Sequence, residues 1–265
     1  GIKIKWAGRN LGFARANNLI IRNAVQAGAK FIMLLNPDTI LEPGAVESLV
    51  AELENDHQLG SVSAKILRWD FKNQKKTEVI DSCGIVVRSG LRFFDLGQAQ
   101  SDIGQFDRAD ILGPSGAAPI YRLSALEKIK QGSEYFDELM FMSKEDCDLA
   151  YRFYLSDSKS KLVPMAKIYH DRTTYGTGES DLRVALNRRH KDKQIKKWSF
   201  LYQHIIFIKF WQTQKLLEKL AILIYAFKMF IFALFFEQYL LKQYYKIWQI
   251  KKKIKIYKNS TRLPL

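Results

Sequence analysis

The stretch FIMLLNPDTILEP, Phe31 to Pro43, decides how the chain is read. Phe31–Leu35 is a continuous apolar run of the kind found in strands buried inside a parallel sheet. It ends in Asn36-Pro37-Asp38, a proline-stiffened turn that presents one carboxylate. Upstream, Ile2–Trp6 alternates apolar and polar like a strand, and Ala14–Ala27 carries apolar residues at helical spacing until Gly28. Downstream, Pro43–Glu54 reads as a helix and Ser61–Trp69 as another strand. The order β-α-β-α-β predicts an α/β fold with a doubly wound sheet and helices on both faces. Ligands of such sheets lie at the carboxyl ends of the strands, and Asp38 stands at one.

The later segments add to this frame. EVIDSCGIVVRSGLRFFDLG, Glu78 to Gly97, is rich in β-branched and aromatic residues punctuated by glycine and reads as a hairpin-like insertion. GPSGAAPIYRLSALEKI, from Gly113, reads as a small-residue loop, a short strand and a helix; small residues let a backbone approach another surface closely. A helix is expected from about Ser143 to Tyr154, and KLVPMAKIYHD, Lys161 to Asp171, reads as a strand with His170 at its end. Internal repeats and low-complexity linkers are not apparent.

Two groups of side chains could carry chemistry. Asp38 suits a divalent cation, which takes one or two carboxylates together with substrate phosphates; it equally suits a cap for the helix that follows. Glu145-Asp146-Cys147-Asp148 opens the predicted helix near Ser143, with Glu145 and Asp148 on one face and Asp146 turned away. Acids favour a helix N-terminus through its dipole. Beside the apolar FDELMFM segment, a carboxylate can also be raised into the range of a general base.

Five segments together resemble a known family. NLGFARANN (Asn10 to Asn18), LLNPDT (Leu34 to Thr39), GPSGAAPIYRLSAL (Gly113 to Leu126), FDELMFMSKEDCDLAYR (Phe136 to Arg152) and IYHD (Ile168 to Asp171) stand in the order and spacing of family-2 glycosyltransferases. The subgroup they are most similar to is the rhamnosyltransferase-like enzymes of bacterial surface polysaccharide and cell wall synthesis.

The resemblance implies a GT-A-like mixed sheet and an inverting transfer of a hexosyl or rhamnosyl group. The donor would be a nucleoside-diphosphate sugar, dTDP- or UDP-linked, and the acceptor a saccharide or lipid-linked saccharide. It implies that Asp38 holds Mg2+ or Mn2+, with Asn36 at the first position of the Asp-x-Asp motif. Asp146 would be the base, with Glu145 as the other candidate. Asn10, Gly12, Phe13 and Asn17 would line the donor side, and Gly116 and Ala117 the loop facing sugar and acceptor, where Asp148 and Arg152 support the helix. His170 would be a further metal ligand, or an ordinary histidine at a strand end. The family's usual first strand and acidic nucleobase motif do not precede these segments, so an N-terminally truncated chain with weak donor binding is expected.

Charge divides the 265 residues. The net charge is +15, but residues 191–265 hold 16 Lys/Arg against 3 Asp/Glu, leaving 26 against 24 for residues 1–190. A nearly neutral catalytic domain, 1–190, is thus expected before a basic helical tail, 191–265. This placement argues against nucleic acid as a partner and for an anionic membrane surface. Leu220–Phe236 is apolar around Lys228 but spans only about 25 Å as a helix, short of a bilayer core. An interfacial helical hairpin is therefore expected, with Trp198–Trp211 as its other arm, at the cytoplasmic face of the cell membrane. The alternative is a buried helix pair packed on the catalytic domain. An inactive GT-A-like scaffold and a basic membrane-binding module without chemistry are the competing functions. Cys83 and Cys147 make no disulfide framework, so a reducing compartment is the default.

Overall fold

The computed structural model describes residues 4–171 and 192–257. Helix α1 (Gly12–Gln26) is followed by β1 (Phe31–Met33), β2 (Thr39–Leu41), α2 (Ala45–Asn55), β3 (Leu59–Asp70) and β4 (Lys75–Ser82). A β5–β6 hairpin (Ile85–Arg88 and Arg92–Asp95) precedes β7 (Ile120–Arg122), α3 (Leu123–Ile129), α4 (Glu145–Leu155) and β8 (Lys159–His170). Helices α5 (Lys193–Phe210), α6 (Leu216–Phe235) and α7 (Lys242–Ile250) follow.

The main sheet is mixed, in the order β1-β7-β3-β8-β2, with β4 on β3. β3 and β8 run parallel, whereas β1 with β7, β7 with β3, β2 with β8 and β4 with β3 are antiparallel. Side chains on adjacent strand positions point to opposite faces, and here both faces are covered. Phe31, Met33 and Ile120 join the cluster under α2, while Ile32, Leu34 and Tyr121 join the one formed with α1, α3 and α4. That two-sided cover explains the unbroken apolar run in FIML. The parallel environment read for it is corrected: among the described residues β1 lies at the sheet edge against antiparallel β7, which separates it from β3.

Of the strand expected at Ile2–Trp6, only residues 4–6 fall among the described residues, and there the expectation is corrected. Residues 4–7 carry no regular structure, and Ile4 and Trp6 are exposed; alternation alone does not make a strand where no neighbour pairs with its backbone. Residues 1–3 lie outside the described residues, as does GTGES, Gly176 to Ser180, whose spacing is not that of a phosphate loop and which as a sequence could form a loop over the site.

The first helix of the tail packs inward. The segment read as one arm of a membrane hairpin, Trp198–Trp211, falls mostly in α5, whose Leu201, Tyr202, Ile205, Ile206 and Phe210 are buried in one cluster with Tyr151 and Leu155 of α4. Asp192 starts α5 by accepting from the Gln194 N–H at 2.6 Å. α5 thus shares a buried cluster with α4. Among the described residues no helix is long and apolar enough to cross a membrane.

Candidate active site

Three sequence-distant segments meet at the amino end of α4. The Asn36 N–H, just beyond β1, donates to the Ala117 carbonyl at 2.9 Å, and the Leu34 N–H donates to the Pro119 carbonyl at 2.9 Å. The small-residue loop is thus laid along the turn that carries Asp38. One residue earlier, the Gly116 N–H donates to Asp146 Oδ2 at 3.1 Å. A side chain at Gly116 would crowd that carboxylate, since an added Cβ would stand 3.2 Å from Oδ2. At Gly113 an added Cβ would lie 2.5 Å from the Ala150 Cβ. The small residues are there because the loop backbone rides directly on α4.

Asp146 Oδ1 also accepts from the Cys147 N–H at 2.8 Å. Its carboxyl keeps a window to solvent but is densely surrounded by protein, and its pKa is raised, first by burial and then by the charge of Asp95. Glu145 is 4 % exposed, and its Oε2 is buried without a hydrogen-bond partner. Burial, followed by the neighbouring Asp146, pushes it well above the usual glutamate range. The two residues leading into this turn, Ser143 and Lys144, both sit at positive φ, 79° and 69°. Backbone strain in non-glycine residues of this kind clusters at functional sites.

Asp38 and His170 are brought together by strand pairing. β2 starts immediately after Asp38, and its Thr39 lies opposite His170 at the end of β8. The Asp171 N–H donates to the Asp38 carbonyl at 3.1 Å, and His170 Nε2 stands 3.4 Å from Asp38 Oδ1. The other ring nitrogen, Nδ1, is 2.8 Å from Oδ2 of buried Asp81. An imidazole that donates Nδ1–H to a carboxylate turns the lone pair of Nε2 outward, the arrangement found behind metal-ligating histidines. Asp38 and His170 together fit a divalent cation that completes its shell with substrate phosphates. The imidazole nitrogen suits Mn2+ better than the harder Mg2+. Among the described residues no group of three or more His, Cys, Asp or Glu forms a metal centre by itself.

Asp148 and Arg152, although on the same helix, belong to a buried ion network. Arg152 Nε donates to Asp148 Oδ2 at 2.9 Å, its Nη1 donates to the Ile129 carbonyl at 2.9 Å, and Nη2 donates to the Tyr135 carbonyl. Lys209 of α5, with no exposed side-chain surface, lies 2.6 Å from Asp148 Oδ1 and 2.8 Å from Asp137 Oδ2. Burial opposes the charge of Asp137, but Lys209 prevails and holds its pKa below the ordinary value.

The donor-side residues surround the start of α1. Asn10 Oδ1 accepts from the Gly12 N–H at 2.9 Å, the Phe13 N–H donates to the Phe141 carbonyl at 2.7 Å, and Asn17 Nδ2 donates to the Phe13 carbonyl at 3.0 Å. Gly12 is buried at φ +74°, and a Cβ there would fall 2.5 Å from Phe141. Asn10 lines a cleft of about 510 Å3 with Arg9, Arg15, Glu138, Phe141 and Lys253. Asp38, Asp146 and His170 do not line it.

Asp81, Lys209 and Asn18 escaped the sequence reading. Asn18 is fully buried and ties α1 to the segment before α4, accepting from the N–H groups of Tyr135 and Phe136. Only Lys209 carried a signal, as a lone charge late in an apolar helical run. No family model matches the chain, and no curated protein matches it. Among solved structures it is similar to GalNAc-T7 with UDP, GalNAc and Mn2+, at 12 % identity and a TM-score of 0.49. That likeness covers 82 % of this chain and 41 % of the other.

Proposed function

We propose that the protein is an inverting, metal-dependent glycosyltransferase of the GT-A type, similar to the rhamnosyltransferase-like members of family 2. It would move a sugar from a dTDP- or UDP-sugar to a saccharide or lipid-linked acceptor during bacterial surface polysaccharide synthesis, at the cytoplasmic face of the membrane. The observation that carries this reading is the convergence on Asp146. A raised carboxylate receives the backbone of the Gly116 loop, and that loop is hydrogen-bonded to the turn bearing Asp38.

In this reading Asp146 accepts the proton of an acceptor hydroxyl as that oxygen attacks the anomeric carbon. The bond to the leaving nucleoside diphosphate breaks on the opposite face, its electron pair leaves with the diphosphate, and the proton stays on Asp146. A raised pKa makes Asp146 a stronger base than an ordinary aspartate, and a positioned base contributes about 10²–10⁴-fold. The Gly116 N–H fixes the carboxylate's orientation. Asp38 and His170 would hold Mn2+ or Mg2+, which when bound offsets charge growing on the diphosphate. Burial, followed by the neighbouring Asp146, raises the pKa of Glu145 and so disfavours a second negative charge beside the base.

The test is thermal-shift binding of UDP, dTDP and GDP to the full-length protein, with and without Mn2+. Stabilisation by one nucleotide that requires Mn2+ and is lost in Asp38→Ala is expected. No response from a folded protein would remove the donor site from the account.

A further inference from the structure

The outer face of α6 is apolar where a soluble helix would be polar. Leu216, Leu220, Leu223, Phe227, Phe230 and Leu234 recur at steps of four and three and are all exposed, Phe227 to 63 %. The stripe is wider than the two-position seam of a coiled coil, because Leu217, Ile224 and Phe235 widen it along one side and are also exposed. An apolar surface of this extent marks an interaction site.

The surroundings of the stripe select its partner. Residues 211–257 contain nine lysines and two glutamates. Both glutamates are engaged within the fold. Glu218 accepts from the Gly90 N–H at 3.0 Å and from the Ser89 hydroxyl at 3.1 Å, and buried Glu237 pairs with Lys196 at 3.0 Å. The outer surface of this region therefore presents lysine, including exposed Lys242, Lys246 and Lys251–Lys253, without exposed acids. Tyr245 and Trp248 of α7 are exposed and stacked 6.0 Å apart, the residue types that settle at the headgroup level of a bilayer.

We propose that α6 is an in-plane membrane anchor, its outer stripe sunk into the surface of an anionic bilayer with the surrounding lysines on lipid phosphates. The inner side of α6 is fixed to the sheet domain. Glu218 is held by the β5–β6 turn, the Arg92 guanidinium lies 5.0 Å from the Tyr225 ring centre, and Ile222 is buried in the shared core. Seating α6 on a membrane thus sets the orientation of the whole molecule relative to it. This inference rests on the surface alone and stands whether or not the protein transfers sugars.

The test is co-sedimentation of the full chain with vesicles of phosphatidylcholine mixed with phosphatidylglycerol, and with phosphatidylcholine alone. Binding to the mixed vesicles is expected, together with release by alkaline carbonate. Leu223→Ser with Phe227→Ser, both at exposed positions, weakens binding at least about tenfold. Lys242→Gln, Lys246→Gln and Lys252→Gln together weaken it roughly a hundredfold on the anionic vesicles, with little change on phosphatidylcholine. Absence of binding, or binding indifferent to the Leu223 and Phe227 changes, overturns the proposal. So does a stable dimer that those two changes dissociate, which would assign the stripe to a second copy. Resistance to carbonate overturns the in-plane arrangement.

Discussion

Asp146 and Asp148 lie two residues apart on α4 and live in opposite surroundings. Asp148 faces inward, where Arg152 and Lys209 neutralise it at 2.6–2.9 Å. Asp146 faces the Gly116 loop, where backbone N–H groups are its donors and both its burial and the nearby Asp95 raise its pKa. Beside it Glu145 has one buried oxygen, Oε2, without a hydrogen-bond partner among the described residues. A fold normally leaves a buried carboxyl unpaired only at a cost of several kcal/mol, on the order of what one broken buried pair costs. The difference separates acids that hold the helix in place from acids that the fold keeps available. It also accounts for three acids within four residues better than helix capping does, since capping would leave all three exposed to solvent.

The largest effect on stability comes from breaking the paired side. Lys209→Met strands Asp137 in the interior and leaves Asp148 to Arg152 alone; it is expected to cost about 3–5 kcal/mol, read as a drop in denaturant midpoint. The sign with pH follows from Asp137, whose folded pKa is lowered. Its contribution is present above the ordinary aspartate range and fades as pH falls through the lowered folded value. The variant should therefore lie furthest below wild type at neutral pH and draw closer to it in acid. A variant as stable as wild type at neutral pH would mean that the ion network holds nothing together.

The unpaired side should respond in the opposite direction. Folded Glu145 keeps its proton to higher pH than the unfolded chain does, so wild type loses stability as pH climbs from the ordinary glutamate range toward the raised folded value. Glutamine does not titrate. Glu145→Gln should match wild type in acid and melt at a higher temperature at neutral pH. Destabilisation at neutral pH would show that Glu145 is charged and paired, and the contrast between the two sides of α4 would collapse. Ser143→Gly sharpens the comparison at the smallest scale. It relieves one left-handed residue and should stabilise by up to about 1 kcal/mol. If the strain serves to aim the acids, turnover falls while stability rises.

Much of the frame was legible in the chain because periodicity and punctuation are local signals. The helix over Ala14–Ala27, the strand over Ser61–Trp69 and the helix opening near Glu145 all stand within a few residues of where they were read. Pairing was not legible. Nothing within Phe31–Leu35 says that β7, some ninety residues later, inserts between β1 and β3. An apolar run reports cover on two faces, which an antiparallel edge strand beneath helices satisfies as well as a parallel interior one.

The site divides in the same way. Asp38, Gly116 and Asp146 stand out as residue types at strand and helix ends. Their common location depends on hydrogen bonds between distant segments, Asn36 to Ala117 and Gly116 to Asp146, and Asp81 and Lys209 matter only through such contacts. In the tail, apolar composition was visible but direction was not. α5 turns its apolar residues inward and α6 presents its stripe outward.

The most direct test of the central claim, that Asp146 is the acid kept available for chemistry, is turnover and stability measured on the same preparation of Asp146→Asn in the full-length protein. The readout is sugar transfer from UDP- and dTDP-sugars to a lipid-linked acceptor fraction with Mn2+, beside a thermal melt. The account predicts a loss of about 10²–10⁴-fold in transfer with a melting temperature equal to or above that of wild type. Full turnover by a folded Asp146→Asn protein would contradict it.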